Sequence, residues 1–198
     1  MSVSDRFFSL VPDRQCGSCM VCCEYLYINS PSLKKPADVL CGNCVSNQGC
    51  RIYDTRPSVC RSWHCLWRRD ATIPAELRPD KSGVLFSLSV CDEPRYLFEN
   101  AYIVCMALKT PAAFDAPLVA ATLARYIGEA MLPVWLSHAG GKTLAWPDDK
   151  LANAILSPVA AQSDQLADEG KIWLERYEAM LEPLQAKNAR FHHHHSPN

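Results

Sequence analysis

Cysteine is the residue type in this sequence with the clearest capacity for chemistry. The chain holds 11 cysteines, and nine of them fall between Cys16 and Cys65. Thiols packed so densely repel one another once ionised and oxidise easily, and a bound metal relieves both problems by fixing them as thiolates. Disulfides are the alternative, but the odd count and the lack of a recognisable secretion signal disfavour them. We therefore predict metal coordination.

The candidate ligands have the spacing of metal sites. They are, in chain order, Cys16, Cys19, Cys22, Cys23, Cys41, Cys44, Cys50, Cys60, His64 and Cys65. Each C-x2-C turn places two sulfurs on one side of the backbone, which matches two corners of a tetrahedral zinc site with bonds of about 2.3 Å. Gly17 and Gly42 follow the first cysteine of each turn, where glycine allows a tight bend and lets N–H groups point at the thiolates.

The last cysteine segment favours a helix. Asp54 or Thr55 can cap it, and Pro57 suits its first turn. On that helix Cys60 and His64 are four residues apart and therefore share a face. We expect His64 to compete with the neighbouring cysteine for one coordination position.

Nine thiols and one imidazole exceed the four ligands of one tetrahedral ion. One or two zinc ions, or an iron–sulfur cluster as the alternative, are the expected cofactors, because thiolate suits both metals. One partition joins Cys16, Cys19, Cys41 and Cys44 in one site and Cys22, Cys23, Cys50 and either Cys60 or Cys65 in the other. Interleaved partitions are equally allowed. Consecutive side chains diverge, so the adjacent pair Cys22 and Cys23 is expected to serve different ions or to leave one thiol free.

Positive charge is concentrated beside the cysteines. Residues 51–81 contain seven arginines and lysines against four aspartates and glutamates, although the formal net charge of the chain is -1. Arginines could donate to the sulfurs of a negatively charged metal site. The alternatives are a solvated helix face and a patch for anions or nucleic acid.

At these residues the chain resembles the YkgJ-like cysteine-cluster proteins, described as a putative zinc- or iron-chelating domain. Their hallmark is C-x2-C-x2-C-C followed by C-x-I-Y-x-x-R-P-x-x-C-R, which this chain repeats from Cys16 to Cys23 and from Cys50 to Arg61. Cys44 matches a further cysteine of the family, whereas Cys41, His64 and Cys65 go beyond its pattern. The match covers about residues 14–66 and implies metal binding with an unassigned cellular role. A similar cluster occurs in flagellin lysine methylases, but the sequence shows no separate methyl-donor site.

The sequence divides near residue 80. Residues 1–80 are expected to form a loop-rich cysteine-cluster module, and residues 81–190 an α+β region packed against it with a small, mostly antiparallel sheet. A tail over 191–198 includes His192–His195, which we leave out of the argument. The predicted strands are 84–90, 95–99, 102–108, 133–137 and 142–146. The predicted helices are 116–131, a short one opening at 147–149, and 163–185.

These patterns favour a metal-binding protein whose ions are mainly structural. A protein or small-molecule partner would engage residues 82–198. An iron–sulfur redox protein is one alternative, and a metal-dependent enzyme is another, with His64 and Glu24 as the only candidate acid–base groups beside the cluster. We find no membrane-spanning segment or secretion signal, and a pI of about 6.6 argues against nucleic-acid binding. We therefore expect a soluble, cytoplasmic protein.

Overall fold

The computed structural model of the protein describes residues 3–193. Its helices are α1 (Val3–Phe8), α2 (Val21–Tyr25), α3 (Ser58–Ser62), α4 (Leu66–Arg69), α5 (Pro79–Ser82), α6 (Pro117–Glu129), α7 (Asp149–Leu156) and α8 (Asp164–His193). Its strands are β1 (Ile28–Ser30), β2 (Leu33–Lys35), β3 (Cys44–Val45), β4 (Gly49–Cys50), β5 (Val84–Val90), β6 (Ala101–Ala107), β7 (Val134–His138) and β8 (Gly141–Trp146). This mixture confirms the expected α+β class.

A four-stranded sheet in the order β5-β6-β7-β8 organises the second half of the chain. β5 and β6 are antiparallel, as are β7 and β8, whereas β6 and β7 are parallel. The parallel pair requires a crossover connection, which α6 supplies. Four of the five predicted strands are confirmed with small shifts at their ends, and the sheet is mostly antiparallel as expected. Two short hairpins, β1-β2 and β3-β4, lie in the cysteine-rich part.

The strand predicted over 95–99 is wrong. A 3-10 turn occupies Leu97–Glu99, and its Phe98 side chain is buried in the core. The Tyr177 hydroxyl donates to the carbonyl at the start of this turn at 3.2 Å. The chain bends here because the bend buries the phenyl ring against α8, which an extended segment would not do.

Helices α6 and α8 pack on the sheet and confirm the helices predicted over 116–131 and 163–185. Leu118 of α6 and Ile172 of α8 are exposed, whereas the residue that follows each of them, Val119 or Trp173, is buried. α8 is longer than predicted and includes the first residues of the tail, while residues 194–198 lie outside the described part of the chain.

The helix predicted to open at 147–149 begins at Asp149, two residues after Pro147, so this proline lies before the helix and not in its first turn. Asp148 is its N-cap, because its Oδ1 accepts the Leu151 N–H at 2.9 Å.

In the part of the chain that the structure describes, no helix has the length and apolar character needed to cross a membrane.

One apolar core joins the regions on either side of residue 80. From the first region it takes Phe7, Leu66, Trp67, Ile73 and Leu77, which pack with sheet and helix residues of the second. Successive residues of a strand face opposite sides, so β5 places Phe86 in this core and Leu85 against the cysteine-rich part. The domain boundary near residue 80 stays a prediction, but the core is continuous across it.

Asp70 ties together helices that are far apart in sequence. Its side chain is 1% exposed, and its Oδ2 accepts from Arg6 Nη2 at 2.8 Å and from the Tyr126 hydroxyl at 2.7 Å. Burial would raise the pKa of Asp70, but hydrogen bonds from Arg6, Thr72 and Tyr126 outweigh burial and hold the pKa below its ordinary value. One carboxylate therefore fixes α1 and α6 to the end of α4.

Candidate metal centre

The fold brings most of the clustered cysteines to one cavity of about 290 Å³. Eight of the nine line it, namely Cys16, Cys19, Cys22, Cys23, Cys41, Cys50, Cys60 and Cys65. His64 lines it as well, whereas Glu24, the other candidate acid–base group, does not. Leu85 of β5 forms part of the wall, so the cavity lies between the cysteine-rich part and the sheet.

Cys16 and Cys19 occupy a tight turn, in which the Cys19 N–H donates to the Cys16 carbonyl at 2.9 Å. Gly17 has a φ of 53°, in the left-handed region, as expected for the glycine of this turn. Gly49 packs against the same turn, and a Cβ on it would lie 2.4 Å from the Gly17 carbonyl oxygen. A side chain at position 49 would therefore push the first two cysteines away from the hairpin that carries Cys50.

Cys22 and Cys23 lie on α2 with their Sγ atoms 4.0 Å apart. The expectation that these adjacent side chains diverge is wrong. The separation is close to the edge of a tetrahedron with zinc–sulfur bonds of 2.3 Å, which is about 3.8 Å.

Lys35 positions the segment that delivers Cys41. This side chain is 4% exposed, and its ammonium donates to the carbonyls of Glu24 at 2.7 Å, Pro36 at 2.7 Å and Val39 at 2.8 Å. The Cys41 N–H then donates to the Cys23 carbonyl at 2.9 Å. All three ammonium protons are used, so one lysine joins α2 to the loop before Cys41.

The continuous helix predicted after Cys50 is wrong. The chain forms α3 and α4 with an extended break at Trp63, and Pro57, rather than an aspartate or threonine, stands at the N-cap of α3. Arg69 Nη2 donates to the Ser62 carbonyl at 2.7 Å. In a continuous helix that carbonyl would accept the N–H four residues on, so the arginine takes over the acceptor where the helix ends.

Cys60 and His64 therefore do not share a helical face, although both line the cavity. Cys65 also lines the cavity, so the adjacent residues His64 and Cys65 both reach it. Burial, together with the nearby charges of Arg69, Arg56 and Arg68, lowers the pKa of His64 to about 4. Its imidazole is consequently neutral at pH 7.

The thiols fall into two groups according to their proximity. Cys22, Cys41 and Cys50 lie close enough to Cys23, Cys44 or Cys60 to contribute to the pKa values of those three, and the six form the larger group. Cys16 and Cys19 contribute in the same way to the raised pKa of Cys65, and these three form the smaller group. Contact with the Cys22 thiol, followed by burial, raises the pKa of Cys23. Burial raises the pKa of Cys65 to about 12, and the other two thiols of its group add to the effect. Cys41 and Cys44 are thus placed with Cys23 and not, as in the first partition above, with Cys16.

The sulfur atoms are gathered round the cavity but are not arranged as the ligands of one ion. Among residues 3–193 as they are placed, no three cysteine, histidine, aspartate or glutamate side chains stand close enough to hold one metal ion. Cys44, the ninth clustered cysteine, lies beside the cavity on β3, opposite Cys50 of β4. The cavity thus collects donors from every cysteine segment without arranging them around a single point.

The basic residues of 51–81 serve several different roles. Arg56 and Arg68 line the cavity, and the Arg56 guanidinium stacks 3.8 Å from the centre of the Tyr53 ring. Arg68 is 8% exposed, and its buried Nε and Nη1 atoms have no hydrogen-bond partner among the described residues. Arg61 is exposed, as a solvated position would be. Only some of the basic residues of this segment therefore lie where they can interact with the thiols.

Sequence reasoning missed two residues that shape this centre, Lys35 and Gly49. Lys35 follows another lysine, and its acceptors are backbone carbonyls, which every residue carries, so the sequence gives no signal that this side chain is buried. The glycine carried a weak signal, since Asn47 and Gly49 after β3 suggest a tight turn, and both have positive φ values of 62° and 91°. Neither could be connected to the metal ligands without the tertiary structure.

Comparison with known proteins gives no identification. No family model, curated protein or solved structure matches this chain. The resemblance of residues 14–66 to the YkgJ-like cluster stays a prediction, and the candidate site depends on its own residues.

Proposed function

We propose that this protein binds metal through the thiolates of its cysteine cluster, as one or two zinc ions with a mainly structural role. The convergence of eight cysteines and His64 on one cavity is the observation that carries the proposal. Cysteine thiolates and neutral imidazole are the ligands that zinc prefers. An ion held by four thiolates has no open position for a substrate, so it cross-links the chain rather than activating water.

The charge of the cavity wall supports the same proposal. Arg68 is a buried cation whose Nε and Nη1 atoms lack partners among the described residues. A buried charge without a partner is costly, and a zinc ion with four thiolates carries a net charge of about -2. Thiolate–metal groups in this cavity would therefore neutralise the guanidinium, and the guanidinium would stabilise them.

Metal binding requires some of the thiols to move closer together. Cys22 and Cys23 already have the spacing of two ligands of one ion, with sulfurs 4.0 Å apart. The remaining thiols lie round the same cavity and can approach by rotation about their Cα–Cβ bonds. The larger group supplies more than four thiols, and the smaller supplies three together with the nearby His64 as a further donor.

The size of the cavity favours a second candidate, an iron–sulfur protein that transfers electrons. One zinc ion occupies less room than one water molecule, whose share of the liquid is about 30 Å³, and the cavity measures about 290 Å³. A cluster of several irons and sulfides spreads its cysteine ligands round a larger body. Tyr53 and Trp63 also line the cavity, where aromatic rings would shield such a cluster from water.

Metal analysis of protein purified without air and under reducing conditions tests the proposal. We expect about one or two zinc per chain and no visible absorption band. Several irons per chain with a broad visible band would replace zinc by the second candidate. Reduced, metal-free protein that fails to take up either metal would refute metal binding altogether.

A matched pair of variants locates the metal. Cys60→Ser removes a thiol that lines the cavity, so metal content should fall and the cysteine-rich part should lose protection from hydrogen exchange. Cys91→Ser removes a half-buried thiol outside the cluster and should leave metal content unchanged. Equal metal content in the two variants would contradict the assignment to this cavity.

A further inference from the structure

The hairpin formed by β3 and β4 carries a pair of cysteines in register. Cys44 lies directly opposite Cys50, and the next pair towards the turn is Val45 and Gly49. Antiparallel partners alternate between hydrogen-bonded pairs and narrower pairs without mutual hydrogen bonds. The Arg51 N–H donates to the Asn43 carbonyl at 2.9 Å, a bond between the residue after one cysteine and the residue before the other. A bond between these flanking residues is typical of a pair without mutual hydrogen bonds, so Cys44 and Cys50 form one of the narrower pairs.

Narrow pairs suit a disulfide. Their Cα atoms are about 4.5 Å apart, and disulfides accept Cα separations from about 4.4 to about 6.8 Å. Opposite residues of two paired strands also point to the same face of the hairpin. The turn is already closed, because the Gln48 N–H donates to the Val45 carbonyl at 3.0 Å. Cross-linking the pair therefore requires little movement of the backbone.

We propose that Cys44 and Cys50 are a redox pair that forms a reversible disulfide when the protein meets a peroxide. One thiol attacks the O–O bond, which gives a sulfenic acid and releases water. The second thiol attacks that sulfur, forms the S–S bond and releases a second water. The two sulfurs together lose two electrons, which reduce the peroxide, and a dithiol reductant returns both thiols. Both side chains are half-buried and so remain reachable by a small oxidant.

Two other pairs of the cluster are less suited to this reaction. Cys22 and Cys23 have sulfur atoms 4.0 Å apart. A bond between them would close a small ring containing one peptide bond, and a planar trans peptide resists that closure. Cys41 and Cys44 share a tight turn, with the Cys44 N–H donating to the Cys41 carbonyl at 2.9 Å. Cys41 is buried, however, so peroxide reaches it less easily than Cys50.

The pair also belongs to the larger thiol group, since Cys23 and Cys50 are among the neighbours that raise the pKa of Cys44. A disulfide sulfur is no longer a thiolate ligand. Oxidation would then remove two ligands and release metal from that group, a consequence that rests on the proposed function. The disulfide itself follows from the hairpin alone and needs no metal.

Peptide mapping of the full-length, metal-free protein tests the pair. Reduced protein is treated with a small excess of hydrogen peroxide, its free thiols are alkylated, and it is digested with trypsin. Cleavage after Lys34 and Arg51 gives one peptide, residues 35–51, with three cysteines. We expect a product with one alkylated thiol and a mass about 2 Da below that of two free thiols plus the alkyl group. Its fragment ions should place the alkyl group on Cys41, and prior treatment with dithiothreitol should abolish the product.

Two variants distinguish the alternatives. Cys41→Ser should keep the oxidised peptide, and Cys50→Ser should lose it. An oxidised peptide that survives Cys50→Ser and disappears in Cys41→Ser would assign the disulfide to Cys41 and Cys44 and overturn the proposal. Wild-type protein whose 35–51 peptide stays fully alkylated after peroxide would overturn it as well.

A parallel experiment on metal-loaded protein separates this proposal from metal binding. Peroxide should release zinc into a colorimetric chelator, and Cys50→Ser should slow that release several-fold. Zinc that is bound but not released, with the disulfide found in metal-free protein, would refute only the link between the two. A disulfide in protein that never binds metal would leave the redox pair standing and refute the proposed function.

Discussion

The cysteine-rich region and the sheet region are held together by different forces. From residue 9 through residue 65 only Val21, Lys35, Cys41 and Gly49 are buried. The sheet region instead buries a large set of aliphatic and aromatic side chains in one core. Apolar burial at about 25 cal/mol per Å² therefore stabilises the second region, while the first depends on hydrogen bonds and on any cross-link at its thiols. A segment with so little core needs another source of stability, and metal ions bound by its thiols would supply one.

The contact at Asp70, which fixes α1 and the end of α4 to α6 of the sheet region, should give the largest effect when broken. Asp70→Ala removes the acceptor that the Arg6 guanidinium and the buried Tyr126 hydroxyl share, although Arg6 keeps its ion pair with Glu129 at 2.8 Å. We expect the free energy of unfolding, measured in urea, to fall by about 2–4 kcal/mol, because the Tyr126 hydroxyl loses its acceptor and Arg6 loses one of its two carboxylates. Lys187→Ala removes the exposed ion pair with Asp5 and should cost less than about 1 kcal/mol. Similar losses in the two variants would show that Asp70 does not link the regions.

Removing Lys35 should damage only the cysteine-rich region. Lys35→Met leaves the carbonyls of Glu24, Pro36 and Val39 without the ammonium that donates to them, so local opening of residues 21–45 should become easier by about 1–2 kcal/mol. Hydrogen exchange would report this loss, with protection of β5 and β6 unchanged. Lys34→Met, on the exposed side of the same strand, is the matched control and should change neither region. Uniform loss of protection across both regions would contradict the separation.

Gly49→Ala and Gly83→Ala compare the regions at two glycines with positive φ. Their φ values are 91° and 73°, so alanine is strained at both by about 1–2 kcal/mol. Only at position 49 does the added Cβ also meet backbone, 2.4 Å from the Gly17 oxygen. Gly49→Ala should therefore lower the thermal midpoint more and also weaken metal retention. Equal shifts for the two variants would show that the Gly17 turn moves aside freely.

The pH dependence of Asp70 should give the smallest effect. Its folded pKa lies below the unfolded value of about 3.9, so its stabilisation is complete above that pH and is lost as pH falls through the folded pKa. Urea midpoints from about pH 6 to about pH 2 should fall more steeply for the wild type than for Asp70→Asn. Parallel curves would mean that the Arg6 and Tyr126 hydrogen bonds do not lower this pKa.

Much of the sheet region was predictable because its pattern is local. The strands predicted over 84–90 and 102–108 coincide with β5 and β6 to within one residue, and those over 133–137 and 142–146 coincide equally closely with β7 and β8. The errors lie where distant groups intervene. The Tyr177 hydroxyl holds the turn around Phe98 that had been assigned to a strand, and Arg69 ends α3 by binding the Ser62 carbonyl.

The candidate site likewise has one part that the sequence predicts and another that only the tertiary structure determines. The sequence by itself determined which thiols are paired locally, because a C-x2-C turn joins its own two cysteines whatever surrounds it. Only the tertiary structure decided that Cys41 and Cys44 lie with Cys23, and that Cys65 lies with Cys16 and Cys19. The first of these placements depends on Lys35 and on the hydrogen bond from the Cys41 N–H to the Cys23 carbonyl, which join α2 to the loop before Cys41. Spacing fixes neighbours within a turn, whereas the packing of loops fixes which turns meet.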